Sequence, residues 1–420
     1  MYNLILYLYT LGVAVCSLFN EKVRKMWRGE REAFRILKEK VEPGARYVWF
    51  HAASLGEFEQ GRPLMEQLRR DHPDLKILLT FFSPSGYEVR KNYEGADIIC
   101  YLPLDTPTNA RRFLRLIQPE VAFFIKYEFW YNYLLILKKR GIPVYSVSSI
   151  FRDGQVFFRW YGRQYGRVLK CFTHFYVQNE KSRQLLATIG LTNVTITGDT
   201  RFDRVLQVKE QARQLPVVDH FLGQGAATRK VFVAGSSWQP DEEIFIRYFR
   251  QHPEWKLIIA PHVIGEDHLQ QIERQLAGWY VQRYQTYDTN ATQEPQALII
   301  DCFGLLSTIY RYADVCYVGG GFGVGIHNTL EAAVWGAPVI FGPNNEKFQE
   351  AQELKHCGGG IQIDSYDDFE RLMQRFAANP ESRSEAGRQA AAYVQSKAGA
   401  TRQILSDVQP LIDKCHLSPR

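Results

Sequence analysis

Residues 50–60 read FHAASLGEFEQ and set a serine, a glycine and a glutamate directly after an apolar run. A carboxylate at the mouth of a pocket can take a proton from an attacking hydroxyl. Glu57 is the candidate for that work, with Ser54 and Gly56 beside it. The same residues have a second reading, because Ser-x-x-Glu is how a helix often caps its own first turn. Gly56 would let a ligand approach the backbone closely. A helix N-terminus favours an ionised carboxylate, so Glu57 is expected charged, with a lowered pKa that weakens it as a base. The two roles are compatible, since a cap would fix where Glu57 points.

Other chemistry-bearing residues also fall just after apolar runs. Ser83-Pro84-Ser85-Gly86 follows one run, as a turn or as a polar loop facing a substrate. Lys126 and Glu128, with Phe129 and Trp130 next to them, suit an anionic or sugar-like ligand, or simply a helix start. Ser236 and Ser237 follow Val231–Gly235, where they cap a helix or bind a phosphate. His262 follows another run. His262 and His268 do not match a metal spacing, so no metal is expected. Residues 319–325 read GGGFGVG and lead into a helix near His327-Asn328. Glycines at Gly320, Gly321 and Gly323 around Phe322 give a phosphate-cradling layout. Asn328 and Glu331 form a further Asn-x-x-Glu cap. No dinucleotide fingerprint and no P-loop fits this register.

These positions require strands whose ends face one side. Apolar runs at Tyr47–Phe50, Lys76–Phe82, Asp97–Leu102, Val121–Ile125, Pro143–Ser149 and Phe172–Gln178 alternate with helical patterns such as Ala110–Ile117 and Tyr131–Arg140. Such alternation means a parallel sheet covered on both faces. Residues 205–230 are polar and mixed and read as a bridge. A second series follows: Val231–Gly235, Lys256–Pro261, Ala297–Asp301, Val315–Gly319, Pro338–Phe341 and Gly360–Ile363. Two doubly wound halves are the expected architecture, with ligands beyond the carboxyl ends of the strands. The tail, Glu381–Leu411, reads helical.

The 420 residues are 45% hydrophobic and 23% charged, which excludes disorder. A net charge of +6 fits an anionic substrate or membrane surface better than a nucleic acid. Seven scattered cysteines without a Cys-x-x-Cys argue for a reducing compartment. Tyr2 to Phe19 carries no charge. As one helix it would span roughly 27 Å, close to the ~30 Å of a hydrocarbon core. Eight Lys/Arg against four Glu follow between Glu21 and Lys40. A membrane anchor with the bulk of the chain in the cytoplasm is the expectation; a buried or interfacial helix is the alternative. A cleaved signal peptide fits less well, because the start is not basic and no small-x-small site follows.

HAASLGE, SPSG, YLPLDTP (101–107), EFWYN (128–132), TGDTRFD (197–203), AGSSW (234–238) and GGGFG…HNTLEAAVWGAPVIFGP occur in the order seen in 3-deoxy-D-manno-octulosonic acid (Kdo) transferases. The chain resembles that family over nearly its whole length. The resemblance implies a glycosyltransferase B fold, α/β, with two Rossmann-like doubly wound domains around a cleft and an N-terminal membrane-anchor helix. The implied division is 1–20 anchor, 21–205 acceptor-binding domain, 206–395 CMP-sugar-binding domain and 396–420 helical tail. The implied reaction is inverting transfer of Kdo from CMP-Kdo to the lipid A precursor, lipid IVA, at the cytoplasmic face of the inner membrane.

Glu57 falls on the family's catalytic base. Nucleotide contacts fall on Ser236, Ser237, the glycine-rich loop, Asn328 and Glu331; Arg201 or His262 would help hold the phosphate. No metal and no cofactor beyond the donor are expected, because a single phosphate needs no metal-bridged diphosphate. Lys126 stands where many members carry a glutamate, Pro261-His262 lacks the usual arginine between them, and Arg152 is the expected stand-in for a missing cation. Two other readings are carried forward: a related enzyme using a UDP-sugar, and a non-catalytic nucleotide-sugar-binding module tethered to the membrane.

Overall fold

The computed structural model describes residues 2–162, 165–223 and 230–417, with side chains up to residue 413. Two compact units are present: residues 1–204 with 398–420, and residues 205–397. The second is thus inserted into the first. The tail helix Ala400–Leu417 belongs to the first unit, where Asp203 accepts the amides of Gly399 and Thr401.

The first unit carries β1 (Tyr47–Ala52), β2 (Lys76–Phe81), β3 (Ile98–Tyr101), β4 (Val121–Ile125), β5 (Val144–Ser149), β6 (His174–Val177) and β7 (Val194–Ile196). The second carries β8 (Lys230–Ser237), β9 (Trp255–Pro261), β10 (Val281–Arg283), β11 (Ala297–Ile299), β12 (Val315–Val318), β13 (Val339–Phe341) and β14 (Gly360–Gln362). Their orders are β3-β2-β1-β4-β5-β6-β7 and β10-β11-β9-β8-β12-β13-β14. Every paired strand is parallel. Each sheet is doubly wound, and winding reverses between β1 and β4 in the first and between β8 and β12 in the second. Ligands of open α/β sheets bind at that reversal. The carboxyl ends of these four strands and the segments after them carry Glu57, Lys126–Glu128, Ser236–Ser237 and the glycine-rich loop.

Both faces of the first sheet are covered. One packs Trp49, Phe113, Phe124 and Tyr133 with Ala33, Phe34 and Leu37. The other packs Phe58, Met65, Phe123 and Tyr145 with Ile404, Leu405, Val408 and Ile412 of the tail helix. The second sheet buries Phe232, Phe245, Trp255, Tyr317 and Phe369 on one side.

The N-terminal stretch departs from the membrane-anchor expectation. The first helix, α1, spans Tyr2–Cys16 and the second, α2, spans Glu21–Lys40. The guanidinium of Arg24 donates to the carbonyls of Ser17 (3.0 Å) and Leu18 (2.9 Å), which closes the turn between them. Asn20 caps α2 by accepting the amide of Val23. The fifteen residues of α1 rise about 22 Å, short of the ~30 Å core. Among the described residues no helix is long and apolar enough to cross a membrane. Nor is α2 a free basic segment, since it buries Met26, Glu30, Ala33, Phe34 and Leu37 against the sheet. Hydropathy registers the apolar run but not the arginine that folds it back.

The bridge read over residues 205–230 is largely helical in the structure: helices cover Arg201–Gln211 and Pro216–Leu222, with Phe202, Val205, Val218 and Phe221 buried. Residues 224–229 of that stretch lie outside the described residues.

Candidate active site

Glu57 stands in the first turn of α3 (Leu55–Asp71), which starts where β1 ends. The amide of Ser54 donates to its Oε2 at 2.9 Å and the Ser54 hydroxyl donates to the same atom at 3.2 Å. Oε2 therefore reaches back as a cap, while Oε1 has no hydrogen-bond donor among the described residues. Gly56 faces open space; an added Cβ would meet no atom within 4 Å.

The charge state differs from the expectation. Burial, helped by the nearby Glu128, raises the Glu57 pKa; His51, Lys126 and the Ser54 hydrogen bond only partly offset it. Desolvation outweighs the helix terminus here. The result is a better base than a simple cap would be.

Glu128 is held from two sides. The indole of Trp130 donates to its Oε2 at 2.5 Å, and His51 Nε2 lies 3.0 Å from the same atom. His51 is fully buried on β1 with Nδ1 2.8 Å from the Thr80 hydroxyl. Because Trp49 Nε1 already donates to Thr80 Oγ1, the threonine hydrogen is left for His51 Nδ1 or, at 3.3 Å, for the Phe50 carbonyl. At the other ring nitrogen of His51, Nε2–H donates to the Glu128 carboxylate. Lys126 adopts φ 64°, unusual for a residue other than glycine. Its amide donates to Val147 O (2.8 Å) and its carbonyl accepts from Ser149 Oγ (2.8 Å). The chain thus pays for a sharp left-handed exit from β4 that sets Lys126 and Glu128 near Glu57.

Ser83 and Ser85 open α4 (Pro84–Arg90), and their hydroxyls pair at 2.9 Å. The Ser83 amide donates to Ala53 O (2.7 Å), so this turn lies against the Glu57 loop. Gly86 permits that approach, since a Cβ there would come within 3.1 Å of Ser54 carbon. Arg201 is pinned beside Asp199, 2.9 Å from its Oδ2, and Asp199 also accepts Gln60 of α3. Tyr127 lies within electrostatic reach of Glu57, Asp199 and Arg152.

The YLPLDTP motif builds the floor for these residues. Helix α5 covers Pro107–Ile117 and α6 covers Tyr131–Lys139. Asp105 accepts the amides of Asn132 and Tyr133 that open α6, and the Tyr2 hydroxyl at 2.6 Å. Asn3 accepts Asn132 Nδ2. A cavity of about 250 Å³ follows, walled by Tyr2, Leu6 and Tyr9 of α1 on one side and Glu128 and Trp130 on another. The same helix exposes Leu4, Ile5, Leu8 and Leu11.

In the second unit, Ser236 is a bulge residue at φ 52° and Gly319 packs against it; a Cβ on Gly319 would fall 2.4 Å from Ser236 O. Ser237 is buried and its hydroxyl donates to Glu242 at 2.8 Å, so that oxygen is spent inside the fold. Asp241 reaches across to the glycine-rich loop, accepting Gly320 N and Tyr317 OH at 2.8 Å each and Trp238 N at 2.9 Å. Phe322 N also bonds it. A buried carboxylate thus occupies two amides, at 320 and 322, that the sequence offered to a phosphate. Gly321 packs on Gly342, and Gly323 closes a turn onto Gly320 O. Asn328 and Glu331 are joined at 3.0 Å, and Ser307 donates to Glu331. The helix there is only Leu330–Ala333.

His262 stacks against both Trp238 (centroids 4.8 Å apart) and His327 (4.3 Å). Burial lowers the pKa of His262, and burial with the neighbouring His262 lowers that of His327 to about 4. Both rings are neutral near pH 7, so His262 offers no fixed positive charge to a phosphate. Trp238 Nε1 donates to His327 Nε2 at 3.2 Å, leaving its Nδ1–H as a donor.

Sequence reasoning passed over His51, Tyr127, Asp199, Asp241 and His327. The signal for His51 was a histidine inside an otherwise apolar strand. Among the described residues, no group of three or more His, Cys, Asp or Glu could hold a metal ion.

Residues 28–204 match the family described as 3-Deoxy-D-manno-octulosonic-acid transferase (kdotransferase). The chain is a relative of the Kdo transferases. It is 26% identical to the 3-deoxy-D-manno-octulosonic acid transferase of Haemophilus influenzae over 89% of this chain and 88% of that one. The Bordetella pertussis Kdo transferase is 28% identical over 87% and 88%, and the Aquifex aeolicus one 26% over 78% and 84%. Solved structures share the fold. UDP-GlcNAc 2-epimerase from Neisseria meningitidis gives a TM-score of 0.57 at 14% identity, covering 84% of this chain and 99% of that one. MurG of Acinetobacter baumannii gives 0.54 at 13%, covering 87% and 99%. The fold of this Kdo transferase relative is accordingly α/β with two Rossmann-like domains, the glycosyltransferase B type.

Proposed function

We propose that the protein is an inverting glycosyltransferase that moves Kdo from CMP-Kdo to the lipid A precursor. The observation that carries this reading is Glu57, a half-buried carboxylate of raised pKa with one oxygen fixed and the other open, whose electrostatic neighbour Glu128 lines a cavity walled in part by α1. Relatives named as Kdo transferases support the transferred sugar.

In this mechanism Glu57 Oε1 accepts the proton of the acceptor hydroxyl as its oxygen attacks the anomeric carbon of Kdo. The C–O bond to the phosphate breaks and CMP leaves with the electron pair, inverting the centre. Ser54 holds Glu57 in place, and burial, helped by Glu128 fixed by His51 and Trp130, keeps its pKa high. Residues around Ser236, His262, Asn328 and the glycine-rich loop are assigned to the nucleotide, through main-chain dipoles and the His327 Nδ1–H rather than a protonated imidazole. The test is incubation with CMP-Kdo or UDP-sugars and lipid A precursor, with product masses measured. CMP release with a mass gain of Kdo is expected; UDP release would favour the related enzyme, and no turnover a binding module.

The pH profile gives a second test. Activity needs Glu57 ionised, so a raised pKa means kcat/KM is lost as pH falls through that value. In Glu128→Gln the like-charge repulsion disappears, and the acid limb should move to lower pH. An unmoved limb would remove Glu128 from this role.

The acceptor is a lipid, and we assign α1 to the membrane surface at the cytoplasmic face. Leu4, Ile5, Leu8 and Leu11 are each about half exposed or more, which suits a helix lying in the interface. Leu8→Glu with Leu11→Glu should lower partition into neutral vesicles by about tenfold or more, measured by flotation. Unchanged partition would count against this placement.

A further inference from the structure

Between α1, α2 and α5 lies a second cavity, of about 270 Å³, that the proton transfer does not use. Glu30 lines it and is 5% exposed. Its Oε2 accepts the amide of Leu104 at 3.1 Å, and its Oε1 has no partner. A buried oxygen left unbonded in this way is costly. Burial pushes this carboxyl up to about 8, so near neutral pH it is mostly protonated. With Oε2 engaged as acceptor, the proton belongs on Oε1, and Glu30 is a donor in search of an acceptor.

Arg31 and Arg112 line the same cavity. Arg31 lies 4.5 Å over the Trp27 ring and Arg112 lies 4.1 Å over the Phe34 ring. Stacking fixes the guanidinium planes and leaves their N–H edges for a ligand. Neither forms an ion pair among the described residues. Thr10 and Asn109, also in the lining, are tied to the main-chain carbonyls of Leu6 and Leu104. The groups without partners are thus all donors, which selects an oxyanion.

We propose that this cavity seats the phosphate of an anionic membrane lipid, with the Arg31 and Arg112 guanidiniums and the Glu30 carboxylic acid as its donors. A lipid rather than a soluble phosphate follows from the place of the cavity beside α1, which lends it Thr10 and carries the exposed apolar Leu4, Ile5, Leu8 and Leu11. This rests on the interfacial reading of α1 given above.

The test floats the full-length protein with phosphatidylcholine vesicles, alone or with phosphatidylglycerol added. The unaltered protein should prefer the anionic vesicles. Arg31→Gln with Arg112→Gln should weaken binding to them roughly tenfold. Lys22→Gln with Lys38→Gln removes the same charge from positions of α2 outside the cavity lining and should cost much less. Glu30→Gln should bind nearly as well, because its amide still accepts Leu104 N–H and donates to the phosphate. Equal losses from the two charge pairs would overturn the proposal in favour of diffuse attraction. A large loss in folded Glu30→Gln, checked by circular dichroism, would overturn the donor role. Displacement from vesicles by millimolar inorganic phosphate, at constant ionic strength, would overturn the lipid assignment. Binding to neutral vesicles with no preference for anionic ones would overturn the cavity proposal alone, whereas failure to bind any vesicle would overturn the placement of α1.

Discussion

Replacing Glu57 by glutamine should leave the protein folded and cut Kdo transfer by about 10²–10⁴-fold, the usual contribution of a positioned general base. Glutamine serves the capping position as glutamate does, so its oxygen can still accept from Ser54 while no basic oxygen remains for the acceptor hydroxyl. The substitution therefore separates the two roles that share this side chain. Melting temperature and single-turnover rate, measured on the same preparation, check it. Near-normal turnover would return Glu57 to being a cap and would remove the main support for the proposed chemistry.

The second large effect concerns the inserted unit. Asp241→Ala should destabilise it by roughly 3 kcal/mol or more, because several buried donors lose their acceptor at once. Those donors are the amides of Trp238, Gly320 and Phe322 and the hydroxyl of Tyr317. For a unit of this size the change is worth a fall in Tm of roughly 6–12 °C. Asp241→Asn should fall between, since its oxygen still accepts while its amide group faces a donor. An unchanged Tm in the alanine variant would mean that the loop is held by its glycines alone. The same experiment bears on nucleotide binding, because a loosened loop would no longer present its remaining groups in one geometry.

The alternation of apolar runs and helical patterns was enough to locate most strands and to expect two parallel sheets. Val194–Ile196 and Val281–Arg283 escaped because each is a three-residue edge strand without an apolar run. Placing Glu57 and the glycine-rich loop at strand ends was legible too, because a doubly wound sheet leaves little choice of where chemistry goes. What the sequence hides is long-range partnership. Glu57 and Glu128 lie far apart along the chain, and burial of Glu57, helped by repulsion from Glu128, reverses the local expectation for a carboxylate at a helix start. Asp241 reads as an ordinary first-turn acid, yet it holds a loop some eighty residues on. Likewise, Tyr2 to Phe19 reads as a spanning helix until Arg24 folds back onto the carbonyls of Ser17 and Leu18.

The insertion of one unit into the other also bears on synthesis. All seven strands of the first sheet leave the ribosome early, but Ile404, Leu405, Val408 and Ile412, which complete one of its apolar faces, are made last. Until then Phe123 and Tyr145 must wait with part of their cover missing while the whole inserted unit is translated. A nascent chain in that state exposes the kind of surface that aggregates or recruits chaperones, and the end of translation, rather than the end of the first sheet, is when Glu57 gains its finished scaffold.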